Sequence, residues 1–276
     1  MKEFIQRITR NRKLRLPAVD GFTMGEMVIV IAVIAILAAL ITPLAVNQVT
    51  QARYDACREE LLIIKQAIVG DPSLVEGGVR SSYGFVGDLG VFPLNLNELV
   101  TNTTGRPIWQ AGPSGMYFGW RGPYVSEIKD PWGNYYFYTT NFPAGPLPYS
   151  FQSLSSPIAT IWSSGPDGNN DGGTNDDASI TIGPDEAFSI ISGNTLDEDL
   201  VSVQYQTITL SYPDGDATIA QSSLNPPPQF IYSFTFAVPI GIRRLDYITD
   251  DGTNGWKLIS INNGPMTTVN LIDNTN

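Results

Sequence analysis

The longest pattern in the chain is an uninterrupted apolar run near its N-terminus. Residues 27–40 read MVIVIAVIAILAAL, and Glu26 is the only charged residue between Phe22 and Val46. A helix of about 25 residues is about 37 Å long, which is enough to cross a hydrocarbon core of about 30 Å. The run therefore predicts a transmembrane helix, and the alternative is a helix buried in the core of a soluble protein.

Beyond Val46 the pattern changes from uniformly apolar to amphipathic. Apolar residues recur there at spacings of three, four and seven, which is the period of a helix face. One column consists of Ala52, Ala56, Ile63 and Ala67, and a second consists of Cys57, Leu61, Ile64 and Ile68. Gly70 and Pro72 end the helix. We predict a helix over residues 22–70 whose first half lies in a membrane and whose second half packs on a globular body.

The last third of the chain follows the period of β-strands. Residues 201–207 alternate apolar and polar side chains, and residues 230–236 read FIYSFTF. Further strands are predicted at 242–248, 256–261 and 267–272, with turns at 250–252 and 262–264. Short strands at regular spacing favour a small β-sandwich. The predicted fold class is α+β: a long N-terminal helix packed on a small antiparallel sheet, followed by a C-terminal, all-β, sandwich-like domain.

Composition excludes several classes of function. The chain of 276 residues contains no histidine, which excludes an imidazole base and a His-ligated metal. Cys57 is the single cysteine, so neither a disulfide within the chain nor a cysteine metal cluster can form. The net charge of -11 argues against nucleic-acid binding. No nucleophile motif and no catalytic pair of carboxylates is recognisable, and we predict that the chain is not an enzyme.

The charge is distributed unevenly along the chain. Residues 1–21 hold six basic and two acidic side chains, whereas the remainder holds 10 basic and 25 acidic side chains. Because basic segments stay on the cytoplasmic side of a membrane, residues 1–21 are predicted to be cytoplasmic. The acidic body then lies on the other side.

The residues around the single carboxylate of the apolar run form a recognisable motif. Gly21-Phe22-Thr23-Met24-Gly25-Glu26, followed by the apolar run, resembles the processing site of type IV prepilins and type II secretion pseudopilins. The resemblance implies that a membrane prepilin peptidase cuts between Gly21 and Phe22 and that the new N-terminal Phe22 is methylated. It also implies that Glu26 pairs with the Phe22 amine of an adjacent subunit and sets the register of a filament. Pro43 stands where many pilins carry a proline that loosens the helix.

Two further strings lie between residues 121 and 138. Arg121-Gly122-Pro123-Tyr124-Val125 precedes Asp130-Pro131-Trp132-Gly133-Asn134, which is typical of a turn that leads into an aromatic strand. Together they resemble the Gly-Pro-Tyr and Asp-Pro-Trp-Gly-Asn elements of the major pseudopilin of type II secretion. We predict that Trp132 and Tyr135 pack the strand onto the helix.

An acidic, glycine-rich loop follows at residues 164–177. Its four aspartates crowd negative charge, and oxygen ligands without His or Cys select calcium over zinc or copper. Asp167-x-Asn169-x-Asp171-Gly172 matches the opening of an EF-hand loop, but the twelfth position is Ala178 instead of glutamate. The loop therefore predicts a calcium site of another type, and the alternative is a solvated acidic turn.

The same loop resembles the calcium loop of the major pseudopilin, which reads Gly-Pro-Asp-Gly, a short insert and an acidic pair. The resemblance implies that Asp167, Asp176 and Asp177 are side-chain ligands and that backbone carbonyls of residues 161–164 assist. Asp171, a fourth candidate, lies in an insert slightly longer than that of the family.

The resemblance to pseudopilins implies a structural subunit of the pseudopilus of a type II secretion system, held in the bacterial inner membrane by a single pass. The predicted domains are a cytoplasmic leader (1–21), the helix (22–70), a pseudopilin-like domain with the calcium loop (71–184) and a β domain (185–276). The body is periplasmic or extracellular. The implied partners are the prepilin peptidase, copies of the chain itself, other pseudopilins and an inner-membrane assembly platform.

Two alternatives remain open at this stage. The first is a type IV pilin, major or minor, whose β domain is an adhesive module. Such pilins commonly carry a C-terminal cysteine pair, which this chain lacks. The second is a membrane-anchored binding domain that merely uses a pilin-like anchor.

Overall fold

The structure is a computed structural model that describes residues 21–112, 115–142, 149–197, 199, 201, 205–215, 219–224 and 230–272. Residues 1–20 of the predicted leader lie outside the described residues. The chain divides into two compact units, the first ending at Gln51 and the second beginning at Ala52. The helix α1 (Met24–Val69) contributes to both units.

The second half of α1 confirms the predicted amphipathic face. Cys57, Leu61, Ile64 and Ile68 are all buried. In the other predicted column Ala67 is buried, whereas Ala52 is exposed and Ile63 is half exposed. Gly70 ends the helix in the left-handed conformation (φ 74°), and its backbone lies so close to Ser82 that a Cβ atom at this position would come within 2.3 Å of the Ser82 carbonyl oxygen.

Short elements follow the helix in the second unit. They are β1 (Val75–Glu76), β2 (Val79–Arg80), α2 (Gly84–Leu89), α3 (Asn97–Val100), β3 (Gln110–Ala111), β4 (Tyr117–Phe118), β5 (Phe137–Thr140), β6 (Tyr149–Ser150), a 3-10 turn (Phe151–Ser153), β7 (Ala159–Trp162), β8 (Ser179–Ile182) and α4 (Pro184–Ala187). β5, β7 and β8 form a three-stranded antiparallel sheet. The acidic loop connects β7 to β8.

The remaining strands form two sheets, and those from β9 to β14 are the longest, with six to nine residues each. They are β9 (Phe188–Leu196), β10 (Tyr205–Pro213), β11 (Ile219–Leu224), β12 (Ile231–Pro239), β13 (Gly241–Thr249), β14 (Asn254–Ile261), β15 (Met266–Thr268) and β16 (Leu271–Ile272). One sheet has the antiparallel order β11-β10-β13-β14, and the other has the order β15-β9-β12-β6. β15 and β16 both run parallel to β9.

Two hydrophobic cores organise the second unit. The first joins the buried face of α1 to the three-stranded sheet through residues such as Leu61, Ile161 and Ile182. The second lies between the two larger sheets, where Ile191 and Phe234 of one sheet meet Leu245 of the other. The α+β fold class, with a helix on a small sheet and a sandwich-like β region, is therefore confirmed.

The first core also draws on residues beyond the predicted domain boundary at 184. Phe188, Ala237 and Ile240 pack in it together with α1. In addition, β6 pairs with β12. The boundary between residues 184 and 185 stays a prediction.

Candidate functional site

Glu26, the proposed assembly residue, belongs to the N-terminal cap of α1. Its carboxylate Oε2 accepts hydrogen bonds from the backbone N–H of Thr23 at 2.8 Å and from the Thr23 hydroxyl at 3.0 Å. The Glu26 backbone N–H in turn donates to Thr23 Oγ1 at 3.2 Å. This reciprocal arrangement is a capping box, and the spacing Thr-x-x-Glu is its sequence signature. The role of Thr23 was therefore readable from the sequence, but our sequence predictions missed it.

The proposed processing site lies just before the helix. Gly21 and Phe22 precede the first helical residue, Met24, and the Phe22 side chain is 76% exposed. The peptide bond between Gly21 and Phe22 is therefore outside the helical hydrogen-bond ladder, where a peptidase can reach it.

The first half of α1 has no buried side chain. Every residue from Gly21 to Gln51 is exposed, although most of them are apolar. This stretch is long and apolar enough to cross a membrane, a test that a secretory signal sequence also passes. A helix that is apolar on all sides is stable only where lipid or other helices surround it.

Pro43 lies inside α1 without ending it. Proline has no N–H to donate, so the helix loses one hydrogen bond at this position. The preceding residue, Thr42, donates its hydroxyl to the carbonyl of Ala38, one turn earlier in the helix, at 2.7 Å.

The Asp-Pro-Trp-Gly-Asn string forms a turn around one buried carboxylate. Asp130 Oδ1 accepts hydrogen bonds from the backbone N–H groups of Trp132 at 3.1 Å and Asn134 at 2.8 Å, and Asp130 Oδ2 accepts one from the Ser163 hydroxyl at 2.6 Å. Ser163 Oγ also accepts from the backbone N–H of Gly165 at 3.0 Å. Asp130 therefore ties the turn to the point where the acidic loop begins, a role that our sequence predictions missed.

The aromatic residues after this turn face opposite directions. Trp132 packs edge-on against Tyr54 of α1 with ring centroids 5.0 Å apart, as predicted. Tyr135 does not pack on the helix, because it is 63% exposed and its ring contacts the Lys129 ammonium. The neighbouring Tyr136 is the buried residue, and its hydroxyl donates to Glu60 of α1 at 2.7 Å. Burial, together with this acceptor, raises the pKa of the Tyr136 hydroxyl.

Asp177, the last residue of the acidic loop, holds the loop backbone through its carboxylate. Its Oδ2 accepts hydrogen bonds from the backbone N–H groups of Asp171 at 2.9 Å and Gly173 at 3.0 Å. Its other carboxylate oxygen, Oδ1, is buried and has no hydrogen-bond partner. A buried carboxylate oxygen without a donor is costly, and a bound cation would offset that cost.

Of the other three candidate ligands, Asp167 is exposed, whereas Asp171 and Asp176 are half-buried like Asp177. Asp167 accepts from the backbone and side chain of Asn169, and Asp171 accepts from the Asn175 side chain at 2.7 Å. Asp176 lies next to Gly165. A Cβ atom added to Gly165 would come within 2.8 Å of the Asp176 carbonyl oxygen. Within the described residues, no group of three acidic or cysteine side chains forms a metal cluster. The lone acceptor at Asp177 fits a hard cation, and the remaining ligand assignments stay predictions.

Comparisons with known proteins give only distant likenesses among solved structures. No family model matches the chain, and no curated protein matches it. The crystal structure of BcpA, the major pilin subunit of Bacillus cereus, is similar at 11% sequence identity with a TM-score of 0.26. The likeness covers 50% of this chain and 41% of that pilin. At this TM-score the likeness supports no conclusion about fold or function.

Proposed function

We propose that the chain is a pilin-like structural subunit that is cut after Gly21 and assembles into a filament through residues 22–51. The observation that supports this most strongly is the first half of α1, whose apolar side chains are all exposed. A helix of this kind is inserted in lipid before assembly and packed against the helices of other copies afterwards. The maturation step is cleavage of the exposed Gly21–Phe22 bond, and the motif around that bond supports it.

Glu26 has two roles in this proposal. In the single chain its carboxylate caps α1 through Thr23. In a filament the same carboxylate becomes buried between helices and needs a counter-charge, which the free amine of Phe22 on a neighbouring copy supplies. A single buried polar pair of this kind fixes the register between helices, as it does in coiled coils.

Mass spectrometry of protein recovered from host membranes tests the maturation step. The mature chain should begin at a methylated Phe22, and Gly21→Arg should leave residues 1–21 attached. The matched control is Gly25→Ala, because a Cβ atom there meets only the Thr23 hydroxyl at 3.9 Å. An assembled protein that still begins at Met1 would contradict the proposal.

The finer proposal is that the filament is the pseudopilus of a type II secretion system, with prepilin peptidase and an inner-membrane platform as partners. The resemblance of residues 121–138 and 164–177 to the major pseudopilin supports it. Deletion of the gene should then abolish protein secretion and leave surface pili unchanged. Loss of pili with normal secretion would favour a type IV pilin.

Calcium binding by the acidic loop is part of this proposal. The unpaired, buried Oδ1 of Asp177 supports a cation there, with Asp167 and Asp176 as further ligands and Asp171 as a fourth candidate. A bound ion neutralises the crowded aspartates and so stabilises the loop between β7 and β8.

Thermal unfolding of the detergent-solubilised full chain tests this. An ion that binds only the folded state at a hundred times its dissociation constant stabilises it by about 2.7 kcal/mol. Calcium should therefore raise the melting temperature above that found with a chelator, and Asp177→Asn should erase the difference. Asp251→Asn is the matched control, because Asp251 accepts from the backbone N–H of Thr253 in the β13–β14 turn. Equal melting temperatures with calcium and with chelator would mean that the loop is a solvated acidic turn that binds no calcium.

A further inference from the structure

A cavity of about 280 Å³ opens in the second unit beside α2. Its apolar wall is formed by Trp109, Met116, Tyr117, Ile242 and Leu258. Several of these side chains are exposed although they are large and apolar, including Tyr117, Ile242 and Leu258. Concave sites with an apolar wall and a few convergent polar groups are where small ligands bind.

The polar lining of the cavity carries a charge opposite to that of the chain. Three guanidinium groups, those of Arg80, Arg121 and Arg243, line it together with one carboxylate, that of Asp88. Arg121 Nε lies 3.3 Å from Asp88 Oδ2, which also accepts from the Tyr124 hydroxyl at 2.9 Å. The cavity therefore has an excess of positive charge in a chain whose net charge is -11.

Two of these arginines are buried, and their hydrogen bonds in the described part of the chain go to carbonyl and amide oxygens. Asp88 attracts Arg243 and Asp71 attracts Arg80 only through space. Arg243 is 1% exposed and donates to the backbone carbonyls of Pro239, Ile242, Gly87 and Ile240. Arg80 is 6% exposed and donates to the Ser82 and Val69 carbonyls and the Asn263 side-chain oxygen. Burial lowers the pKa of Arg243 to about 9, so it is still charged at neutral pH. Buried charges of one sign make the binding of an anion beside them favourable.

A flat stacking surface adjoins this charge. The Tyr117 and Trp109 rings stack with centroids 5.9 Å apart and an angle of 22° between their planes. The Arg121 guanidinium lies 4.9 Å from the centre of the Trp109 ring. Tyr117 is 57% exposed, which leaves ring surface for a further flat group. Arginine held against an aromatic ring is well suited to bind a carboxylate with two parallel hydrogen bonds.

We propose that this cavity binds a six-membered ring that carries a carboxylate, with the ring against Tyr117 and Trp109 and the carboxylate at Arg121. The volume agrees with a single ring, because pockets for drug-sized ligands begin at about 300 Å³. A hexuronic acid and an aromatic carboxylic acid share this chemistry. The proposal rests on the cavity alone and does not depend on filament assembly.

Titration calorimetry on the detergent-solubilised full chain tests the proposal with two matched pairs of probes. Galacturonate is compared with galactose, and benzoate is compared with benzyl alcohol. At least one of the two carboxylates should bind. Its neutral counterpart should bind at least about tenfold more weakly or not at all. Binding of galacturonate indicates an acidic sugar as the ligand, and binding of benzoate indicates an aromatic acid. No binding of either carboxylate at about 10 mM, or equal binding of a carboxylate and its neutral counterpart, would overturn the proposal.

Three variants locate the site. Arg121→Gln should weaken carboxylate binding at least about tenfold, and Arg53→Gln, an exposed arginine of α1, should not. Asp88→Asn should strengthen binding, because it removes the carboxylate that competes for Arg121. A single cooperative melting transition shows that each variant is folded, and if Arg121→Gln unfolds, Asp88→Asn carries the test. Binding that is unaffected by Arg121→Gln or weakened by Asp88→Asn would contradict the assignment.

Discussion

The two halves of α1 differ in what covers their apolar side chains. In the second half Leu61 is 1% exposed, because one column of the helix packs against the three-stranded sheet. In the first half Leu37 is 51% exposed, and no side chain is buried at all. The same secondary structure therefore serves two environments. A stripe of apolar residues indicates that a helix packs on its own domain, whereas apolar residues on every face indicate lipid or other chains.

The largest expected effect concerns the charge in the first half. Glu26→Gln keeps a side chain that can close the capping box with Thr23, but it removes the negative charge. We expect normal membrane insertion and loss of filaments, because removing one partner of a buried charge pair costs about 3–5 kcal/mol. Sedimentation of assembled material from membrane extracts measures the loss.

Thr23→Ala is the control for this variant. It removes the hydroxyl of the capping box and leaves the charge, at a cost of about 0.5–2 kcal/mol to the helix. Filaments should persist in Thr23→Ala. If Glu26→Gln assembles normally and Thr23→Ala does not, then Glu26 acts as a cap and not as a partner of Phe22.

The second prediction compares the two halves directly. Leu61→Ala should lower the free energy of unfolding by about 2–5 kcal/mol, because it leaves a cavity in the core. Leu37→Ala should change it by less than about 0.5 kcal/mol, because Leu37 is 51% exposed and its removal leaves no buried cavity. Urea denaturation in detergent followed by tryptophan fluorescence reports this, since all five tryptophans lie in the second unit. Equal effects of the two substitutions would mean that the halves are covered alike.

The third prediction uses a carboxylate that is buried in the second unit. Burial raises the pKa of Asp88 to about 6, although Arg121 and Tyr124 oppose the shift. The folded state therefore holds a proton there that the unfolded state releases near pH 4. The contribution to stability is fully present below pH 4 and is lost as the pH rises through about 6, with a total of about 3 kcal/mol at most.

Comparing the unfolding free energy of the wild type and Asp88→Asn from pH 4 to pH 8 isolates this contribution. The variant should gain stability relative to the wild type as the pH rises, because asparagine has no proton to lose. A difference that is constant across this range would show that the Asp88 carboxylate is well solvated or fully paired by Arg121.

The elements with a periodic pattern of apolar residues could be predicted from the sequence. The apolar run and the column of Cys57, Leu61 and Ile64 specify α1 and its buried face, because helix periodicity is local. Strand alternation located β12, β13 and β14 in the same way. The parallel pairing of β15 and β16 with β9 could not be predicted, because the sequence of a strand does not determine which other strand it pairs with.

Two errors have specific physical causes. Tyr135 was expected to pack on α1, but the alternation of side chains along the strand places Tyr136 inward and Tyr135 outward. In a run of aromatic residues, composition alone does not determine which side chains of the alternating pattern point inward. The cavity at Asp88 was not foreseen, because its polar groups come from residues 80, 88, 121 and 243 and meet only in the folded chain. By contrast, the capping signature of Thr23 and Glu26 was present in the sequence.

The central claim is that the first half of α1 is covered by other copies of the chain. A photoreactive amino acid placed at Ile34, which is 60% exposed, tests it most directly in intact membranes. After illumination the account predicts a ladder of crosslinked dimers and higher multimers that disappears in Gly21→Arg. Crosslinks to lipid alone, with the chain remaining monomeric, would contradict it.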